Sequence, residues 1–240
     1  MKKVTIILPT YNERENIRKL IPNIFKIFEE NRIHGNIIVV DDNSPDKTNE
    51  IVKELQKKYP IILIERTRRM GIGSAYITGF KRAINDESDI VFEMDADLSH
   101  EPKYIPYFMK KMDQGFDMVI GSRREEGGGV IGWSWYRKLI SRGANLIGEY
   151  IAGVNGVKDL TSGFRAIKRE VISEIISERI ESEGYAFQLE ILGKVLKRGF
   201  KVGSIPFIFH DRCFGKSKLL RKDIRNFFLI ALKFRLGLIK

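Results

Sequence analysis

The chain has 240 residues, enough for one large domain with a sizeable core, alone or with an appendage. With 43% hydrophobic and 30% charged residues it is neither disordered nor fibrous, and its single cysteine, Cys213, excludes an intrachain disulfide framework. Lys and Arg number 42 against 31 Asp and Glu, a net charge of +11 that favours anionic partners; no zinc-finger spacing, basic zipper or aromatic RNP run points to nucleic acid.

The opening MKKVTIILPT is a short apolar run without a cleavage site, so no signal peptide is expected. Val4–Leu8 predicts a strand ending at Pro9-Thr10-Tyr11. Asn12 with Glu15 three residues on predicts a capping box, opening a helix to about Phe28. Ile37–Val40 is a second strand closing on Asp41-Asp42, after which Ser44 is expected to cap a helix with Pro45 at its first position. Ile61–Ile64 is a third strand. Gly71–Ala83 reads as loop then helix, and Gly71-Ile72-Gly73 lacks the third glycine of a dinucleotide fingerprint. The fourth strand, Ile90–Met94, runs straight into Asp95-Ala96-Asp97. Pro102 starts a helix toward Met112, and Met118–Ile120 leads to Gly121-Ser122-Arg123. Gly127-Gly128-Gly129 reads as a mobile lid or a plain flexible loop. Helices over 137–152 and 186–198 flank a strand near Phe164–Ile167, and Val202–Phe209 is a last strand before a basic tail.

In that tail the longest uninterrupted apolar run, Phe227 to Leu232, is six residues, against the roughly 20 that a spanning helix needs. Ile224, Phe227, Phe228, Ala231 and Leu238 fall at helical spacing, with Arg225 and Lys233 on another face. Two placements stay open: an amphipathic helix lying in a membrane interface, or a terminal helix packed on the core. The organisation expected is a catalytic unit over 1–218 and a basic helix over 219–240.

Apolar strands alternating with helices imply an α/β fold whose mostly parallel sheet is covered on both faces. Ligands collect outside the carboxyl ends of such strands. Pro9-Thr10-Tyr11, Asp41-Asp42, Asp95-Ala96-Asp97 and Gly121-Ser122-Arg123 all fall at such ends. Asp95 and Asp97 flank a small residue, so both carboxylates can face one hard divalent cation, Mg²⁺ or Mn²⁺, that also holds substrate phosphates. A cap on the following helix would account for one of the two acids. Of Asp41 and Asp42, one is enough to meet a nucleoside; Tyr11 and Glu13 are further candidates, although Glu13 also suits a helix start.

PTYNERENI, VVDDNSPDKT, MDADLSH, GSR, ISRGAN, DLTSGFR, GYAFQLE and DRCFGKSKL together resemble family 2 glycosyltransferases of the GT-A fold, from about Val4 to Leu220. Within that family they are similar to the branch that makes dolichyl phosphate mannose. The resemblance implies an inverting, metal-dependent transfer of mannose from GDP-mannose to dolichyl or another polyprenyl phosphate, on the cytoplasmic face of a membrane. It implies a peripheral protein, with a membrane-embedded companion as one route to anchoring. It assigns the nucleotide sugar to Pro9, Tyr11, Glu13, Val40, Asp42, Asp95, Ala96, Asp97, Arg212 and Lys218. The metal falls to Asp95 and Asp97 with Ser99, where some relatives carry Gln. The acceptor phosphate falls to Arg123, Arg137 and Ser141, with Asp97 and Arg123 closest to the chemistry. Ala186 stands where some relatives place Lys.

A phosphate acceptor also fits on chemical grounds, because a phosphate monoester (second pKa about 6) is already an anionic nucleophile near neutral pH, whereas a hydroxyl needs a positioned base. The Glu-Asp pair and Gln-x-x-Arg-Trp motif of hydroxyl-using relatives are missing; Glu190 stands alone. Rival expectations are a UDP-glucose-dependent dolichyl-phosphate glucose synthase, a nucleotidyltransferase, disfavoured by the lack of a glycine-rich basic loop after the first strand, and a non-catalytic basic adaptor for membrane or RNA.

Overall fold

The structure is a computed structural model that describes residues 2–150, 157–211 and 221–238. The strands are β1 (Lys3–Thr10), β2 (His34–Asp41), β3 (Ile61–Glu65), β4 (Ile90–Glu93), β5 (Met118–Ser122), β6 (Gly129–Ile131), β7 (Arg165–Lys168), β8 (Val202–Pro206) and β9 (Ile208–His210). The helices are α1 (Arg14–Glu30), α2 (Thr48–Leu55), α3 (Ile72–Asn85), α4 (Ile105–Met112), α5 (Trp135–Tyr150), α6 (Arg169–Ile176), α7 (Tyr185–Lys197) and α8 (Arg221–Arg235). A seven-stranded sheet runs in the order β3-β2-β1-β4-β7-β5-β8, and β6 pairs with β9 in a small second sheet.

Side chains alternate across the sheet because successive strand residues point to opposite faces. Ile6, Leu8, Ile37, Val39, Phe92 and Val119 pack with α1, α2 and α4 residues such as Leu20, Val52 and Phe108. Ile7, Ile38, Val40, Val91, Met118 and Ile120 pack with Tyr76, Phe80, Phe187 and Phe234 from α3, α7 and α8. Each fully buried Ile or Phe contributes about 1.5–3 kcal/mol, which holds the rim rigid.

Strand β7 is antiparallel to both β4 and β5. Its first residue, Arg165, therefore lies beside Glu93 and Ile120, at the rim where those strands end. That reversal brings the 159–165 segment to the sheet's ligand-facing edge.

Several local expectations are corrected. Helix α1 starts at Arg14, and neither an Asn12 cap nor a Glu15 capping box forms. Its first amides are satisfied by the neighbouring loop instead: Asn12 N donates to Ser44 Oγ (3.0 Å), Glu13 N to Thr48 Oγ1 (3.1 Å) and Arg14 N to Asp46 Oδ2 (3.0 Å). Ser44 thus ties the β1 and β2 loops together, and α2 begins only at Thr48. The glycines at 127–129 are packed against neighbours: Gly129 enters β6 and a Cβ on Gly128 would lie 2.6 Å from the Ser122 carbonyl. The strand expected over Val202–Phe209 breaks at Phe207 into β8 and β9, and α6 was not anticipated. Helix α8 buries Phe227, Ile230, Ala231 and Phe234, whereas Phe228, grouped with that face by spacing, is exposed.

Candidate active site

At the nucleotide end of the rim, β1 and β2 pair so that Pro9 lies opposite Val40 and Thr10 opposite Asp41. The two neighbouring acids divide their work. Asp41 is structural: its carboxylate accepts from Thr10 Oγ1 (2.8 Å), Ser44 Oγ (2.6 Å) and Ser44 N (2.9 Å). Asp42 turns to the next loop, accepting from Met70 N and Gly71 N (both 3.1 Å) and pairing with Arg66. Gly71, at φ +92, adopts a conformation that only glycine takes without strain. Arg69 covers the Tyr11 ring at 4.5 Å, so the basic 66–71 loop folds against the Tyr11–Asp42 corner. Glu13 accepts from Asn16 Nδ2 (2.7 Å) at the start of α1. Val40 is buried in the core and contributes packing through its side chain.

The aspartate pair follows β4. Asp97 is buried, and its Oδ1 accepts from Ser99 N (3.1 Å) and Ser99 Oγ (2.5 Å). Ser99, expected as a metal ligand, directs its hydroxyl proton to the Asp97 carboxylate and keeps its oxygen lone pairs. Asp95 is 26% exposed and meets the Tyr76 hydroxyl at 3.5 Å. Burial, followed by the Asp95 charge, raises the Tyr76 pKa well above its ordinary value, so the phenol stays a donor. Ala96 between the acids is buried and keeps the turn tight.

The donor set suits a hard divalent cation. Two carboxylates on one turn bring oxygen ligands, while no group of three or more His, Cys, Asp and Glu among the described residues forms a closed cage. Mg²⁺ in particular is held by one or two carboxylates with waters and substrate phosphates completing its shell.

Beneath this turn lies an ion pair absent from the sequence reading. Glu93 and Arg165 are fully buried with Oε2 and Nε 3.9 Å apart. Arg165 is satisfied by the carbonyls of Ser162 (2.8 Å), Gln188 (2.8 Å) and Leu160 (3.1 Å), and so clamps the 160–165 segment. Burial drives the Glu93 carboxyl up to about 7 despite the pull of Arg165, and lowers Arg165 to about 10 despite Glu93.

The clamped segment joins the aspartate turn to the expected acceptor site. A Cβ on Gly163 would lie 3.9 Å from Asp95 Oδ1. A few residues earlier, Asp159 grips Arg123, accepting from its amide (2.9 Å), Nε (2.7 Å) and Nη2 (2.6 Å), while Thr161 accepts from Nη2 at 2.8 Å. Burial pushes Asp159 up, but the Arg123 guanidinium outweighs it and holds the carboxyl below its usual range. Trp133 stands between two arginines, its ring 5.3 Å from the Arg123 guanidinium and 4.2 Å from that of Arg137. Arg137 also pairs with Asp211 at 2.8 Å. On α5, Ser141 follows Arg137 by one turn, and its carbonyl accepts from Asn145 Nδ2 (2.8 Å).

Arg123 and Arg137 are thus oriented by acids, Asp159 and Asp211, rather than standing as bare surface charges. Arg212 and Lys218 lie outside the described residues. Glu190, which stands alone where hydroxyl-using relatives carry a Glu-Asp pair, is buried and accepts from Glu181 N, Ser182 N and Ser182 Oγ, so it shapes the 181–182 loop.

A mostly parallel sheet with an Asp-Ala-Asp turn after β4, and one reversed strand carrying a second polar segment to the same rim, defines a GT-A fold. Glucosyl-3-phosphoglycerate synthase from Mycobacterium tuberculosis, solved with Mn²⁺, UDP and phosphoglyceric acid, superposes with a TM-score of 0.71 at 18% identity, over 98% of this chain and 79% of that one. The model of Glycosyl transferase family 2 matches residues 5–176, and the chain belongs to that family. Among curated relatives, dolichol-phosphate mannosyltransferase of Pyrococcus furiosus is 42% identical over 226 residues, which span 92% of this chain and 60% of the relative. Polyprenol monophosphomannose synthase of Mycolicibacterium smegmatis is 36% identical over 227 residues, 94% of this chain and 84% of that one.

Proposed function

We propose that the protein transfers mannose from GDP-mannose to dolichyl or another polyprenyl phosphate, with inversion at the sugar carbon. The observation that carries this reading is the 159–165 segment, which links the Asp95–Asp97 turn to the paired arginines Arg123 and Arg137. That link supports a nucleotide diphosphate at the aspartates and a second phosphate at the arginines. The names of the two curated relatives support the mannosyl donor and the polyprenyl phosphate acceptor.

In this mechanism Tyr11, Glu13 and Asp42 line the nucleoside end, and Asp95 and Asp97 would hold the metal, with Ser99 bonded to Asp97. A bound Mg²⁺ or Mn²⁺ supplies charge neutralisation for the departing diphosphate. Arg123, Arg137 and Ser141 orient the acceptor phosphate, whose oxygen attacks the sugar carbon as the bond to the GDP oxygen breaks. Arginine suits this task because its guanidinium stays charged and carries five donors, more than the orienting acids Asp159 and Asp211 take up. The acceptor arrives as an anion, so no side chain need take its proton. Arg212 and Lys218 are proposed to add cations at the diphosphate. Catalysis is then chiefly positioning and leaving-group stabilisation.

The acceptor's lipid calls for a peripheral membrane site. No helix among the described residues is long and apolar enough to cross a membrane. Helix α5 instead exposes Trp135, Tyr136, Leu139 and Leu146, and α8, which packs beside it, exposes Phe228, Leu229 and Leu232. Aromatic and aliphatic side chains on neighbouring helices of a +11 protein suit an anionic lipid surface on the cytoplasmic side. A membrane-embedded companion remains part of this proposal.

The test is to incubate labelled GDP-mannose with polyprenyl phosphate and a divalent cation, then extract with organic solvent. Label should enter the lipid phase, vanish with chelator, and be competed by GDP more strongly than by UDP. Label confined to water, or stronger competition by UDP, would overturn the donor and acceptor assignments.

A further inference from the structure

We propose that His100 is a positioning residue for the metal-binding turn, holding Asp95 in place through the lone pair of its Nδ1. This rests on the metal reading of Asp95 and Asp97 given above. The chain from Asp95 to His100 closes on itself: Asp95 N donates to His100 Nδ1 at 3.0 Å, and His100 Nε2 lies 3.9 Å from Asp95 Oδ2. Because Nδ1 accepts, the ring proton resides on Nε2, the nitrogen nearer the Asp95 carboxylate.

Closing the loop demands an uncommon backbone. Leu98 sits at φ +68, which a branched side chain adopts only when its surroundings impose it. The surroundings here are aromatic. His100 is 2% exposed and stacks on Phe164 at 4.8 Å with the planes 9° apart. Phe207 and Phe209 present edges at 5.7 and 5.9 Å. The ring is therefore locked by Phe207 at the break between β8 and β9, by Phe209 of β9 and by Phe164 just before β7.

A phenylalanine would fill that box as well. An imidazole there loses solvation that hydrogen bonding makes good, and its Nδ1 accepts from the backbone of Asp95. Phe209 also faces the Arg123 guanidinium at 5.7 Å, so the same aromatic box borders both halves of the site.

The experiment compares His100→Phe, His100→Asn and His100→Gln. Phenylalanine keeps the stacking and removes the acceptor. Asparagine restores an acceptor close to the position of Nδ1, whereas glutamine reaches only toward Nε2. The readout is Mn²⁺ binding in the presence of GDP, followed by the EPR signal of free Mn²⁺, with thermal melts confirming that each variant folds. His100→Phe and His100→Gln should weaken Mn²⁺ binding about 10- to 100-fold, the range for losing an outer-shell partner, and His100→Asn should recover most of it. Wild-type affinity in His100→Phe overturns the proposal. If His100→Phe does not fold, His100→Asn binding no tighter than His100→Gln overturns it equally. Absence of Mn²⁺ binding by the wild type would instead remove the metal reading and this inference with it.

Discussion

Asp97 and Asp159 are both buried carboxylates, yet they answer to different partners and fail in different ways. Asp97 accepts from Ser99 and faces the proposed metal, so Asp97→Ala should remove several kcal/mol of leaving-group stabilisation, at least about 100-fold in turnover, without loss of fold. Turnover of the purified variant within a few-fold of wild type would contradict the metal role. Asp159→Asn keeps the shape around Arg123 but strips the charge from a buried pair, a change that costs about 3–5 kcal/mol in comparable settings. Denaturant melts should register that loss, and the acceptor KM should rise more than the donor KM. Glu93 makes the opposite prediction. Folded Glu93 keeps its proton up to about 7, while an unfolded glutamate releases it near 4.5. Its contribution to stability is therefore full below about pH 4.5 and is lost as pH rises toward about 7. Glu93→Gln imitates the protonated form, so its melting temperature should match wild type in acid and exceed it at pH 8. A variant less stable at both pH values would show that attraction to Arg165 outweighs burial. The acids at 95 and 97 were legible in the sequence because like charges at the end of an apolar run demand an explanation. Glu93 and Asp159 were not, because their partners lie elsewhere in the fold; His100 was not, because only the fold brings Phe164, Phe207 and Phe209 around its ring.

Helices and strands show the same division between local and distant causes. The first five strands were readable from β-branched apolar runs, whereas the direction of β7 was not, since a reversed strand carries the same pattern as a parallel one. The caps of α1 were misassigned for a related reason: Asn12 has the chemistry of a cap, but Ser44, Asp46 and Thr48 satisfy those amides from another loop. Helix α8 docks through a similarly distant device. A Cβ on Gly193 would sit 2.5 Å from the Phe234 ring, so α7 must offer a glycine where α8 lies across it. Gly193→Ala gains about 1 kcal/mol of helix propensity but overpacks the contact, which typically costs about 1–3 kcal/mol. Hydrogen exchange over 225–235 should accelerate in that variant while β1 and β2 stay protected. Unchanged exchange in α8 would mean that Phe234 has room to move aside.

One sheet serves both ends of the proposed reaction, and the proposed lipid surface is the exposed apolar face of α5 and α8. Flotation with anionic vesicles should carry the protein, and Trp135→Ser together with Leu139→Ser should weaken that binding without altering GDP affinity, since Trp135 is 76% exposed and holds no core contact that folding requires. Vesicle binding unaffected by this pair would move the lipid surface elsewhere. The site itself is best examined by crystals grown with Mn²⁺ and GDP and measured at a wavelength where manganese scatters anomalously. An anomalous peak should lie between the diphosphate and the carboxylates of Asp95 and Asp97, with the base near Tyr11 and Asp42. Bound GDP with no peak at that turn, or with both carboxylates directed away from the diphosphate, would contradict this reading.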